Sequence, residues 1–455
     1  MYGGGVKECF ESSNSRPGSS ISIQLHNLSS FLRGKGSGYS TVFISLALII
    51  YPATVLLVHK VNGLIFALFT LSGLFLLVKY RHKSTRTTRD EALFYFSVSL
   101  FFLSTLIITL NAGFVYKVLG KYIHLLLVIP VYIYLRHTGV RLIFLWYGLV
   151  MGSIMSAGIA VYDVHILFLG RAKGLTHPIL FGNMALVMGC MSVAGYGWFK
   201  RRGKIQALLP VIALLSGIFA SVLSGSRGGW VAVPFLIAAF FWYIQPHFSL
   251  KSKFIITAMV FVISCALYLV PQTKVGFHID RTVDSIQQYS DSEITSNKRA
   301  TSVGTRFEMW QAAWKMYLDN PVLGVGWGHY EETAQQQVDQ GLRNKVAALH
   351  DHPHSQYFSA LANGGTVGFI ALMILYLIPV WLFVKSIKQG KTPDIRRLAL
   401  AGLVLIIAFM AFGLSEPMLF RSRSVNFFAF YLAIFMAAIS TEQSKQDSHP
   451  MCQEP

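Results

Sequence analysis

The sequence predicts an all-α polytopic membrane protein, with about twelve transmembrane helices and one large, partly helical outer loop between the ninth and the tenth. Three observations predict it. The 455-residue chain is 53% hydrophobic and only 13% charged, with a mean hydropathy of +0.51, whereas soluble domains carry about 25% charged residues. Apolar runs long enough to cross a hydrocarbon layer of roughly 30 Å recur along it. A single long polar stretch, at about 271–365, interrupts them.

Residues 1–38 are rich in Gly and Ser, carry Lys7, Arg16, Arg33 and Lys35, and lack the apolar core of a cleavable signal peptide. They read as an unfolded cytoplasmic tail, with the first span doing the targeting. The apolar runs fall near 41–58, 62–78, 92–113, 122–135, 142–162, 178–198, 206–223, 229–244, 254–270, 366–384, 398–414 and 424–440, the one at 122–135 being short. This gives nine spans within 39–270, the loop at 271–365, three spans within 366–440, and a second cytoplasmic tail at 441–455.

Charge sets the orientation. With the N-terminal tail inside, 23 of the 39 Lys and Arg residues lie in the inner connections and 8 in the opposite short ones, and the long loop holds the other 8. Inner connections attract the basic excess, so both tails face the cytoplasm and the long loop faces outward. The same distribution accounts for the net charge of +19. Basic residues in short loops between spans meet anionic lipid headgroups, and nothing in their placement suits nucleic acid. Cys9, Cys190, Cys265 and Cys452 are scattered and give no disulfide framework or metal spacing.

Within the loop, 306–318 has helical propensity, and Trp310, Ala313, Trp314 and Tyr317 recur at steps that share one face. Asn320-Pro321 ends that helix, and Gly324, Gly326 and Gly328 make a turn-rich segment after it. A second short helix is expected over 331–346. Residues 283–302 are polar and read as mobile.

The chemistry concentrates in Leu349-His-Asp-His-Pro-His-Ser-Gln-Tyr357, where His350, His352 and His354 stand two apart just ahead of a span. Imidazole titrates near neutrality and can take a proton from a hydroxyl, so the cluster is a candidate reaction site; a loop with polar tips is the plain alternative. Alternating histidines with Asp351 or Glu331 and Glu332 nearby admit a metal, but Pro353 disturbs the strand that such a set would use, and no familiar ligand spacing accompanies it. Ser355 and Ser226 lack the Gly-x-Ser-x-Gly of a hydrolase, and there is no P-loop. Arg227, in Ser224-Gly-Ser-Arg-Gly-Gly-Trp230, is a cation on the outer side flanked by glycines that allow close backbone approach. Its planar fork suits a phosphate, and an interfacial arginine reaching headgroups is the other reading. Arg171 and Lys173, in Gly170-Arg-Ala-Lys-Gly-Leu-Thr-His177, invite the same pair of readings, and Arg306 otherwise reads as a solvated helix-start residue.

His354-Ser355, nine residues, then Gly365-Thr-Val-Gly368 resembles the outer-loop signature of the O-antigen ligase family of bacterial inner-membrane proteins. Arg306, Trp310, Ala313, Pro321, Gly324 and Gly326 resemble the preceding segment of the wider O-antigen ligase/polymerase superfamily, and Ser226-Arg227-Gly228-Gly229 is similar to the family's arginine after its seventh helix. The resemblance spans residues 40 to 440. It implies a GT-C-like membrane fold and an enzyme that transfers a glycan from undecaprenyl diphosphate to lipid A–core on the periplasmic side, in an inverting reaction with no metal and no cofactor. It assigns His354 as general base, Arg227 and Arg306 as essential arginines at the donor diphosphate, and Arg171 and Lys173, aligned more loosely, as further diphosphate ligands. Ser355, Gly365, Gly368 and Trp310 are motif positions; His350 and His352 are not required. O-antigen polymerases and protein O-oligosaccharyltransferases share most of these features, with a carrier-linked repeat or a pilin serine as acceptor. A twelve-helix transporter is the competing class, but transporters bury ionisable residues midway through their spans, and these runs hold almost none there.

Overall fold

The computed structural model describes residues 38–58, 60–80, 87–113, 115–244, 284, 287, 289 and 301–447. The expected ninth span at 254–270, the tail through residue 37, residues 448–455 and most of the polar stretch before residue 301 lie outside them. Thirteen principal helices follow in order among the described residues: α1 (Gly38–Thr54), α2 (Val61–Lys79), α3 (Arg89–Asn111), α4 (Tyr116–Thr138), α5 (Leu142–Val161), α6 (Pro178–Ala194), α7 (Leu209–Leu223), α8 (Ala232–Ile244), α9 (Ser302–Asp319), α10 (Tyr330–Asp339), α11 (Gln356–Gln389), α12 (Pro393–Phe412) and α13 (Ser422–Asp447). Among the described residues, eight helical runs are long and apolar enough to cross a membrane, and the apolar helices Gly38–Thr54, Pro178–Ala194 and Arg227–Tyr243 are shorter. Eleven of the twelve expected runs are thus helices. The one at 122–135 is the middle of α4, a helix of 23 residues whose Lys121 and Arg136 had shortened the apolar run.

The bundle is built around α12 and α13. In their most apolar windows 78% and 89% of residues are buried, against 33% in α2, which places them at the centre and α2 at the rim. Phe427, Phe428, Phe430, Tyr431 and Phe435 fill the space around α13. Helices in lipid gain little from hydrophobicity and associate through close packing. At the α1–α5 crossing, a Cβ on Gly148 would stand 2.0 Å from the Leu48 carbonyl oxygen and one on Gly152 2.7 Å from that of Pro52, so only glycine admits this approach.

One end of the bundle is pinned by ion pairs at helix ends: Arg136 with Glu91, Lys385 with Asp90, and Arg201 with Asp394. The opposite end carries the cap. There α9, α10 and the 3-10 turn Lys345–Ala348 enclose a small core of Met309, Ala312, Ala313, Met316, Tyr330, Ala334 and Ala347. The buried stripe of α9 is therefore offset from the expected Trp310, Ala313, Trp314 and Tyr317 face. Small side chains let the cap helices close, while Trp314 remains 46% exposed. Helix α10 is shorter than the expected 331–346; it stops at Asp339, and Gly341 turns the chain with φ 71°.

The Gly365–Gly368 segment departs from expectation. The expected loop ends at residue 365 and the expected span begins at 366, but α11 already begins at Gln356 and runs through that boundary with a break at Gly365, where φ is 59° and ψ −156°. Only glycine adopts that conformation readily. The break leaves backbone groups without intrahelical partners, and the segment after α9 supplies them. Val325 N–H donates to Ala362 O (2.8 Å) and Gly326 N–H to Asn363 O (3.1 Å), while Thr366 N–H donates to Pro321 O (2.8 Å) and Val367 N–H to Val322 O (3.2 Å). The cap is stitched to a membrane helix at its break.

Candidate active site

His354 ends the cap and precedes α11. Its φ of 48° is a left-handed value unusual for a non-glycine residue. Ser355 then caps α11 by accepting from Phe358 N–H (3.5 Å). Three further bonds fasten this turn to the connection between α12 and α13. Gln356 N–H and Ser355 Oγ both donate to Gly413 O (2.7 and 3.3 Å), and Leu419 N–H donates to Gln356 Oε1 (2.8 Å). From the cap side, Trp310 Nε1 donates to Pro353 O (2.9 Å) and the indole stacks on Phe358. The motif positions Ser355 and Trp310 therefore hold the histidine turn in place.

These bonds bring Glu416, buried on the α12–α13 connection, to His354. Its Oε2 lies 2.7 Å from His354 Nδ1. A carboxylate accepts, so Nδ1 carries the hydrogen and Nε2 of the neutral ring keeps a free lone pair. Burial pushes the Glu416 carboxyl up, but the His354 hydrogen bond and the facing imidazoles outweigh it and hold it below its ordinary value. His352 Nδ1 accepts from the His354 backbone amide (3.2 Å), and its Nε2 is 3.9 Å from Glu416 Oε1. Burial drives His352 down to about 4 despite the pull of Glu416. His350 packs edge-on to His354 at 4.8 Å and is exposed.

The arginines converge on the same place. Arg306, in the first turns of α9, is half-buried; burial lowers its pKa, the Glu416 charge opposes that, and the Arg227 charge adds to it. Arg227 opens the 3-10 turn Arg227–Val231 after α7. That turn packs against the residue preceding Glu416, since a Cβ on Gly228 would be 2.5 Å from Ser415 Oγ. The Arg227 side chain is exposed. Arg171 is closely associated but differently used. Its Nε donates to Ser224 O (2.7 Å) and an Nη to Gly225 O (3.3 Å), so its fork satisfies carbonyls at the end of α7 and supports the Arg227 turn. Lys173 is brought in only through its backbone amide, which donates to Asp163 (2.8 Å), and its exposed side chain has no contact with the histidines among the described residues.

His352, His354 and Glu416 place one ligand atom each within 4.8 Å of one another, a metal-compatible grouping. His354 Nδ1 and Glu416 Oε2 are already engaged with each other, however. A metal held by both at about 2.0–2.2 Å per ligand would have to replace that hydrogen bond. The arrangement is that of an imidazole oriented by a carboxylate.

Glu416 was not singled out from the sequence. Its signal was a carboxylate just beyond the apolar run at 398–414, on a side whose short connections carry one other acid, Asp163. Gly365 and Gly324 shape backbone and touch no reacting group: a Cβ on Gly365 would be 2.4 Å from Val322 O. Gly368 has room, with the Ala360 oxygen 3.4 Å away.

Fold and site define a multi-pass membrane protein with a His–Glu pair and converging guanidinium groups at one end of its bundle. Residues 211–373 match the family model described as O-antigen ligase. The matched segment contains Arg227, Arg306 and His354, whereas Arg171 and Glu416 lie outside it. A Haemophilus influenzae protein described as uncharacterized is 24% identical over 391 residues, covering 86% of this chain and 96% of its own length. Members of this superfamily are membrane glycosyltransferases acting on lipid-linked glycans.

Proposed function

We propose that the protein is an O-antigen ligase of the bacterial inner membrane, transferring a glycan from undecaprenyl diphosphate to lipid A–core on the periplasmic face. The observation that carries this is the His354–Glu416 pair at 2.7 Å beside Arg227 and Arg306. The acceptor hydroxyl oxygen attacks the anomeric carbon while the bond from that carbon to the diphosphate oxygen breaks, its electron pair leaving with the diphosphate. His354 Nε2 takes the hydroxyl proton, and Glu416 stabilises the imidazolium that forms. Arg227 and Arg306 face the negative charge that develops on the leaving diphosphate, as fixed donors in a site partly removed from water. General-base catalysis contributes about 10²–10⁴-fold, less than the roughly 10⁶-fold or more of typical enzymes, so the arginines carry much of the remainder. Two cations at the leaving group do what a divalent ion does elsewhere, and the reaction is metal-independent. Attack opposite the leaving group inverts the anomeric centre. Twelve helices with both termini in the cytoplasm put this end of the bundle in the periplasm.

O-antigen polymerases and protein O-oligosaccharyltransferases would use the same groups on another acceptor. A deletion strain examined by lipopolysaccharide gel decides. Unextended core with accumulating carrier-bound polymer supports the ligase; core bearing a single repeat supports a polymerase; normal lipopolysaccharide with an unglycosylated pilin supports the protein-directed enzyme.

A further inference from the structure

A second set of cations lies near the histidines, and the mechanism above does not use it. Lys121, near the start of α4, places Nζ 4.2 Å from the centroid of Phe420. The Phe420 ring packs edge-on to His352 at 4.9 Å, and His352 packs on His354 at 4.6 Å. Arg421 follows Phe420 directly and is exposed. Its charge acts on His350, His352 and His177, and on Lys121, which also feels Lys117 one turn away. Neither Lys121 nor Arg421 has a carboxylate within salt-bridge distance among the described residues; the acid in electrostatic reach of Lys121 is the exposed Asp351.

Arg227 acts on both Arg171 and Arg306, whereas Arg421 and Lys117 act on Lys121, and His177 feels a cation of each set, Arg171 and Arg421. Both sets border the His354–Glu416 pair. Three like charges gathered at the end of an apolar bundle, one of them laid over an aromatic ring, repel one another and favour a bound anion. A glycosyl transfer has two substrates, and the donor's diphosphate occupies the arginine side.

We propose that Lys121 and Arg421, with Lys117 at the rim, bind a phosphoryl group carried by the acceptor and so bring its hydroxyl to His354 Nε2. This rests on the glycosyl-transfer reading and adds the chemistry of the second substrate. The same phosphoryl chemistry is found in lipid headgroups, so the test separates the two sources. The cations are positioning residues: they fix the acceptor and do not touch the reacting bond.

The full chain in nanodiscs of zwitterionic lipid is titrated with lipid A–core, intact or phosphatase-treated, without donor, and transfer is then measured with donor added. Lys121→Gln and Arg421→Gln each raise the Kd of the intact acceptor about tenfold, the size expected for a lost charge-assisted hydrogen bond. They leave the donor KM unchanged, slow transfer at subsaturating intact acceptor, and bind the phosphatase-treated acceptor as the unsubstituted protein does. Lys121→Arg, which keeps the charge, restores binding and shows that the fold is intact. Unchanged affinity for intact acceptor in both Gln variants overturns the proposal. So does an affinity loss that is the same for both acceptor forms, or one that appears only when anionic lipid is added, which assigns the cations to headgroups. Acceptor binding that follows these rules in a protein that transfers no glycan keeps the site and removes the transferase reading. Transfer that proceeds with variants unaltered in binding does the reverse.

Discussion

His354 Nδ1 lies 2.7 Å from Glu416 Oε2, although 62 residues separate the two along the chain. The carboxylate fixes which ring nitrogen holds the hydrogen and faces the imidazolium when it forms. Glu416→Gln removes that charge and admits the other tautomer. In purified protein, kcat is expected to fall on the order of 10²–10⁴-fold with little change in donor KM. His354→Ala is expected to abolish transfer while still inserting into the membrane. A Gln variant turning over at the unsubstituted rate would remove Glu416 from the reaction.

Arg227→Lys keeps the charge but loses the paired N–H geometry that matches phosphate oxygens. Transfer is expected to drop about 10²-fold or more, the size of a lost donor at developing charge. Arg171→Lys acts differently, because Arg171 bonds Ser224 and Gly225 carbonyls. It loosens the turn that carries Arg227, so protease sensitivity near residue 225 is expected to rise alongside the loss of activity. Comparing the two variants by limited proteolysis separates ligand from support.

Gly365→Ala puts a Cβ 2.4 Å from Val322 O at a φ of 59°. It is expected to destabilise by about 3 kcal/mol or more, as strain and clash combine. Gly368→Ala meets only ordinary contacts and is expected to remain near the unsubstituted unfolding midpoint in detergent. Equal midpoints for the two variants would contradict the joint described at Gly365.

Acid stability has a sign that follows from burial. His352 is held down to about 4, below its ordinary value of 6.5. Between those values the unfolded chain binds the proton that the folded one refuses, so stability rises with pH there and is lost on acidification through that window. The Glu416 carboxyl, held low, adds its own loss at still lower pH, below 4.5. His352→Gln is expected to flatten the dependence between about 4 and 6.5 in thermal unfolding measured across pH. A slope unchanged by that substitution would assign it to another group.

Treatment with a divalent-metal chelator, followed by assay in metal-free buffer, is expected to leave transfer at its original rate. Activity lost to the chelator and restored by one divalent ion would turn His352, His354 and Glu416 into ligands.

Most of the architecture was legible because lipid imposes a simple rule on sequence. An apolar run of membrane length becomes a helix, and eleven of the twelve runs did so among the described residues. What escaped was long-range. Glu416 sits in a short connection with no pattern of its own, and its role exists only because Gln356 and Ser355 bond to Gly413. Arg171 read as a ligand from its charge, while its use as a cap for α7 depends on a neighbour 53 residues away. Gly365 read as a loop residue because glycine usually breaks helices; the strand of backbone that satisfies the broken helix comes from residues 321–326. Periodicity and composition carry no information about partners so distant.

Since Glu416 rides on the link between α12 and α13, His354 cannot acquire its partner until that link, 62 residues further along, has left the ribosome. A nascent or truncated form ending before that link would hold Arg227, Arg306 and His354 yet lack the carboxylate that orients the imidazole.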